Sequence, residues 1–223
     1  MLKRQRRERA RGDEGFTLVE LLVSMTIFSV LMALILSLMI TMLGQSTDNL
    51  GRQRAVEQAR LGLSQIDRQM RSGNLILDPS LDGFAEANVP ANYSVRIFTQ
   101  EGGVDKCVQW RVIYDDVTSK FGQLEFRSWD PLSTLTATNW SRVASNVTKP
   151  EGTFSAADPE SWPPFWVDTT AAATEAQSIR ITLRMSDPSA KSNAKAQVLT
   201  TTVTGRNTVF AYSPLKCSTV PAP

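Results

Sequence analysis

The chain has no histidine and only two cysteines, Cys107 and Cys217, among its 223 residues. The first absence removes the commonest general base and the commonest metal ligand. Two cysteines cannot build a zinc site by themselves. No glycine-rich phosphate loop and no nucleophile motif is present. The acids that could tempt a catalytic reading are Asp67 and the pair Asp115-Asp116. Adjacent residues of a strand point to opposite faces, so that pair is a poor dyad and turn or strand-end duty is expected. The sequence therefore predicts no catalytic residue, no metal site and no cofactor.

Charge is scarce in one long stretch and crowded in another. The formal net charge is only +2. Lys3, Arg4, Arg6, Arg7, Arg9 and Arg11 nevertheless stand against Glu8 alone within residues 1–11, and the rest of the chain is slightly acidic. A basic patch confined to a short arm argues against a nucleic-acid surface on the main domain. From Leu18 to Leu43 the chain reads LVELLVSMTIFSVLMALILSLMITML, with no basic residue and no proline. This run of about 26 residues exceeds the roughly 20 that a helix needs to cross a bilayer. It is also longer than the apolar core of a secretory signal, and no A-x-A-like site follows it. A signal anchor would keep the basic arm in the cytoplasm and place everything after Leu43 outside. Glu20 does not suit a plain anchor, because a carboxylate within a membrane helix is costly without a partner and marks a functional position.

Gly15-Phe16-Thr17-Leu18-Val19-Glu20 lies between the basic arm and the apolar run. It resembles the class III signal of type IV prepilins and pseudopilins. The resemblance implies cleavage between Gly15 and Phe16 by an aspartyl membrane peptidase, then N-methylation of Phe16. A side chain at Gly15 would obstruct the peptidase. Glu20 would face the new N-terminal ammonium of a neighbouring subunit. The implied partners are the prepilin peptidase/methyltransferase, other pilins or pseudopilins, the cytoplasmic membrane and an assembly platform protein. Major pilins of Gram-negative type IV pili usually carry proline where this chain has Ser37, so the usual kink should be missing. Asp13 and Glu14 make the end of the leader acidic, a second departure.

Past Leu43, the residues Leu50, Val56, Ala59, Leu63, Ile66 and Met70 recur mostly at steps of three and four, the mark of one helix face. Arg52, Arg54, Glu57, Arg60, Asp67, Arg68 and Arg71 occupy much of the remaining surface. The spacing predicts that Val56, Ala59, Leu63, Ile66 and Met70 are buried against a sheet while Arg52, Arg60 and Arg71 are exposed. Ser72-Gly73-Asn74 reads as the stop. A helix from Phe16 to about Arg71 would reach roughly 80 Å at 1.5 Å per residue.

The remainder reads as strands. Residues 93–98, 108–114 and 123–129 are β-rich, with a hairpin turn expected at Lys120-Phe121-Gly122. Ile179, Ile181, Leu183 and Met185 alternate with Arg180, Thr182 and Arg184, which predicts a strand with one buried face. Residues 198–212 predict a long strand interrupted at Gly205-Arg206-Asn207, and residues 130–176, rich in Pro, Ser, Thr and Trp, predict a long loop. Its tryptophans suit either packing on the sheet or a contact surface for another subunit or ligand.

The expected fold is α+β, type IV pilin-like: a long N-terminal helix packed on an antiparallel β-sheet head. The expected parts are a removed leader 1–15, a transmembrane and filament-core helix 16–43, its amphipathic extension 44–73, and a head 74–223. The layout is most similar to J-type pseudopilins and W-type minor pilins, through Gln109-Trp110-Arg111-Val112 with Gln123-Leu124-Glu125-Phe126-Arg127, and through Val203-Thr204-Gly205-Arg206-Asn207. In an exported head Cys107 and Cys217 suit either one disulfide or two free thiols, and a bridge requires Cα atoms within about 7 Å. The expected function is that of a minor pilin or pseudopilin, single-pass in the cytoplasmic membrane and then in a filament or at the cell surface. The rival readings are a pilin-like module that captures DNA or surfaces, which no basic head supports, and a membrane-anchored enzyme or sensor.

Overall fold

The structure, a computed structural model, describes residues 15–81, 89–132, 136–167, 177–189, 195–206, 208, 212–213 and 215–221. The chain divides into two compact units, Met1–Ser46 and Thr47–Pro223. Helix α1 (Leu18–Arg71) contributes to both. With no proline inside it, nothing interrupts its hydrogen-bond ladder.

Within the first unit the apolar side chains of α1 stay open, from 44% exposed at Met32 to 81% at Leu18. An 18-residue window of the helix has a mean hydropathy of 2.5, and none of it is buried. Its hydroxyls are satisfied locally. Ser24 Oγ donates to the Glu20 carbonyl at 2.8 Å, Ser29 Oγ to Met25 at 2.8 Å, and Thr41 Oγ1 to Ser37 at 2.9 Å. Polar groups that bond back to their own helix need no water.

The second unit is an antiparallel sheet with the rest of α1 laid on it. Its strands are β1 (Gly73–Ile76), β2 (Ser94–Glu101), β3 (Val104–Tyr114), β4 (Phe121–Trp129), β5 (Ser141–Thr148), β6 (Phe165–Trp166), β7 (Ser178–Met185) and β8 (Gln197–Thr204). The order is β1-β2-β3-β4-β5-β7-β6, and β8 also pairs with β7. Since Ile181 pairs with both Phe165 and Thr201, and Met185 with both Val147 and Gln197, β5 and β6 share one edge of β7 while β8 takes the other. The sheet curls until its ends meet: Ile76 N–H donates to Gln177 Oε1 at 2.7 Å, and Arg206 N–H to the Arg71 carbonyl at 3.4 Å.

One face of the sheet receives α1. Ala55, Ala59, Ile66 and Met70 join Val95, Ile97, Trp110, Val112, Leu124, Ile179, Ile181, Leu183 and Met185 in a single buried cluster. Trp110 Nε1 donates to Gln69 Oε1 at 2.7 Å, so the largest buried side chain keeps its polar atom satisfied. The other face carries a smaller cluster of Leu75, Phe98, Cys107, Trp129 and Cys217.

The helix stripe differs from the sequence expectation in its centre. Ala59, Ile66 and Met70 are fully buried, but Val56 and Leu63 are only half-buried on the flank. The axis of the contact runs through Gly51, Ala55, Ala59 and Gly62. Small residues let the helix backbone close on the sheet: a Cβ at Gly62 would stand 2.8 Å from Leu124 Cδ2 and 3.3 Å from Leu183 Cδ1. Arg52, Arg60 and Arg71 are exposed, as the spacing predicts.

Other departures have local causes. Ser72-Gly73-Asn74 ends the helix but also opens β1, which follows at once. The β3–β4 turn lies at residues 115–120, because the Asp116 carboxylate accepts from the backbone N–H groups of Thr118 and Ser119 at 2.6 and 2.7 Å. Gly122 therefore sits inside β4, where a Cβ would come 2.5 Å from the Ile113 carbonyl. The expected loop 130–176 contains β5, a short 3-10 helix (Pro159–Ser161) and β6. The strand expected at 198–212 is β8 ending at Thr204, and residues 207, 209–211 lie outside the described residues. In β7 the second face is covered too: Thr182 and Arg184 are buried beside Ile181 and Leu183.

Candidate processing and assembly site

The chemistry-bearing residues of the N-terminal stretch stand where α1 begins. Gly15, Phe16 and Thr17 are non-helical, and Leu18 is the first helical residue. Thr17 sets that boundary. Its Oγ1 accepts from Glu20 N–H at 3.3 Å and its carbonyl accepts from Leu21 N–H at 3.2 Å. This is the bonding of an N-cap, which satisfies donors that the first turn would otherwise orphan. Thr17-Leu18-Val19-Glu20 also has the Ser/Thr-x-x-Glu pattern of a capping box, a signal that a reading of the sequence for membrane spans passes over. Glu20 is the acid in the first turn, where the helix dipole favours negative charge.

The residue before the start of the helix has no internal reason to be glycine. Among the described residues a Cβ at Gly15 would meet nothing within 4 Å, and its φ is not in the left-handed region. Phe16 beside it is 83% exposed. Glycines inside the head contrast with this: at Gly62, Gly122 and Gly205 an added Cβ would come within 2.8 Å of a neighbour.

The two cysteines are joined. Cys107 on β3 and Cys217 near the C-terminus form a disulfide, with Cα atoms 5.7 Å apart and a sequence separation of 110. The tail that Cys217 carries lies on the outer face of the sheet. Arg96 donates through one nitrogen to the Cys217 and Ser218 carbonyls at 2.8 and 2.9 Å, and the buried Arg127 donates to the Pro221 carbonyl at 3.3 Å. Arg127 also donates to Gln109 Oε1 at 3.0 Å, and Gln109 to Ser94 Oγ at 3.0 Å, so a polar ladder crosses β2, β3 and β4 beneath the tail.

The tryptophans of residues 130–176 pack on the sheet's arginines. Arg111 and Arg127 stack on the Trp140 ring at 3.7 and 4.4 Å, and Arg180 lies 4.3 Å from Trp162 and 4.9 Å from Trp166. Such cation–π contacts let guanidinium groups be covered without losing all favourable interaction. Asp67 pairs with Arg71 at 2.8 Å along the helix. Asp116 serves its turn, and its carboxyl is held below the usual range by hydrogen bonds from Thr118 and Ser119. Among the described residues no group of three or more acids or cysteines could hold a metal ion.

Residues 10–36 match the family model described as the prokaryotic N-terminal methylation motif. No curated protein and no solved structure matches the chain. The matched segment takes in the whole Gly15–Glu20 stretch and more than half of the exposed apolar run. The chain thus carries a prepilin-type signal ahead of a long helix packed on a curled antiparallel sheet, an α+β, type IV pilin-like layout.

Proposed function

We propose that the chain is a minor pilin or pseudopilin, a structural subunit whose work is assembly. Prepilin peptidase cuts between Gly15 and Phe16, and Phe16 is then N-methylated. The leader 1–15 stays in the cytoplasm. Residues 16–43 hold the precursor in the cytoplasmic membrane and later pack in the filament core, residues 44–73 extend that helix into the head, and residues 74–223 stand outside. The partners are the peptidase/methyltransferase, the assembly platform protein and other pilins of a type IV pilus-like or type II secretion filament.

The methylation motif over residues 10–36 carries this reading. Three features support it. Among the described residues nothing stands within 4 Å of where a Cβ of Gly15 would lie, which fits a demand for glycine from outside the fold. The Thr17 cap leaves the Gly15–Phe16 bond out of the helix. The exposed apolar half of α1 has the length of a membrane span.

Mass spectrometry of the mature chain tests the processing step. The expected N-terminus is Phe16 carrying one methyl group, and a mature chain that retains Lys3 overturns the proposal. The assembly step has its own test. Glu20→Ala should leave membrane insertion and cleavage near wild type while reducing the subunit's share in sheared filaments. A variant that enters filaments as well as wild type does would remove the charge pair from the mechanism.

A further inference from the structure

A cleft of about 570 Å³ opens at the end of the head where the β3–β4 turn, the residues after β5, the end of β7 and the start of β8 come together. Four cations line it, Lys120, Lys149, Arg184 and Lys195, each from a different one of those segments, against one carboxylate, Glu151. Like charges gathered around one cleft repel each other, and an anion between them relieves that repulsion.

The cleft also holds donors without partners. Arg184 has only 4% of its side chain exposed. Its guanidinium is held by Glu160 Oε2 at 2.5 Å and by the Pro159 carbonyl, while its Nε is buried with no hydrogen-bond partner. Thr148 is also a lining residue, and its Oγ1 is buried and unpartnered in the same way. Buried polar groups are paired in the great majority of cases, so an orphaned guanidinium N–H and an orphaned hydroxyl on two lining residues of one cleft mark a place for an acceptor. Lys149 is pre-set: its Nζ donates to the Val117 carbonyl at 2.5 Å and lies 4.8 Å from the Tyr114 ring centre. An ammonium held in this way keeps donors to spare, since it has three.

We infer that this cleft binds a phosphate-class oxyanion, free or as part of a larger molecule, with Lys149, Lys195 and Lys120 supplying charge and the buried Arg184 Nε and Thr148 Oγ1 turning toward the anion to supply directed hydrogen bonds. Donors converging from several sides suit a group with several equivalent oxygens, and charge-assisted bonds to such oxygens are the strong ones. The site lies wholly in the head and is independent of the processing and assembly reading.

The test is a phosphorus NMR titration of the full chain in neutral detergent, at constant ionic strength set with sodium chloride. The probes are inorganic phosphate and dimethyl phosphate. Saturable broadening is expected for at least one. The double variant Lys149→Gln, Lys195→Gln should weaken it at least tenfold, while Lys216→Gln, outside the cleft, leaves it unchanged. All three lysines are solvent-accessible, and unaltered thermal unfolding of the variants would show that the fold is intact. Should the double variant melt early, Lys195→Gln alone gives the comparison, with a smaller loss expected. Broadening by inorganic phosphate alone points to a free phosphate or terminal monoester, and equal broadening by dimethyl phosphate points to a diester within a polymer. Absence of saturable broadening by either probe, or equal titration of wild type and variants, overturns the inference.

Discussion

The two halves of α1 obey opposite rules within one helix. Up to Ser46 its large apolar side chains are exposed, and its hydroxyls turn back on their own carbonyls. From Thr47 onward the helix is polar in composition, yet it buries Gly51, Ala55, Ala59, Gly62, Ile66 and Met70. The more hydrophobic half is thus the one that this chain leaves uncovered. Hydrophobicity alone does not say where a helix packs. A stripe with small residues at its centre and large ones at its end allows close docking on a sheet, whereas an apolar surface all round the helix needs lipid or other helices to cover it.

The contrast breaks most sharply at Ile66. Ile66→Asp puts a charge into the fully buried side of the stripe and should cost more than about 4 kcal/mol, most of the margin of a head at the low end of the usual range of about 5–15 kcal/mol. Membrane insertion should be unaffected, because the apolar run precedes that position. Limited proteolysis of the full chain in detergent would show a head degraded at once while residues before Ser46 survive.

Breaking the outer face of the sheet instead of the helix contact should come next. Cys217→Ser releases the tail from Cys107 and should lower head stability by about 2–5 kcal/mol, read as a lower denaturation midpoint in the absence of reductant. Reduced wild type should fall to the same value. A head whose midpoint is indifferent to reductant would show that the tail is held by Arg96 and Arg127 without the bridge.

Overfilling the stripe is milder. Gly62→Leu drives a side chain against Leu124 and Leu183 and should cost about 1–3 kcal/mol. Gly62→Ala should stay near neutral, because the nearest atoms are the ends of two leucine side chains and alanine favours the helix. The smallest effect belongs to the other half. Leu22 is 57% exposed, so Leu22→Ala should shift head unfolding by less than about 0.5 kcal/mol. A larger shift would mean that the two halves of α1 are coupled in the folding of the head.

Much of this was legible in the sequence. The apolar run, the Gly15–Glu20 stretch and the period-two pattern of residues 179–185 each depend on neighbours a few positions away, so they can be read along the chain. The expected layout of one long helix and an antiparallel sheet follows from them, and the structure has it. Details set by distant partners were not legible. Val56 and Leu63 lie on the correct side of the helix by spacing. Only the approach of β4 and β7 makes Gly62 the contact axis and leaves those two residues on the flank. Strand β5 escaped notice because Ser141–Thr148 is polar and only Ala144 and Val147 in it are fully buried.

By itself the sequence determined the uncovered apolar half of the helix and the prepilin-type signal, since long apolar runs and short motifs are local physics. Tertiary structure alone decided the rest. It joined Cys107 to Cys217 across 110 residues of sequence. It covered Arg111 and Arg127 with Trp140, and it brought Lys120, Lys149, Arg184 and Lys195 to one cleft. Those pairings depend on which strands curl beside one another, and strand order is a global compromise of burial and hydrogen bonding that no short window of residues contains.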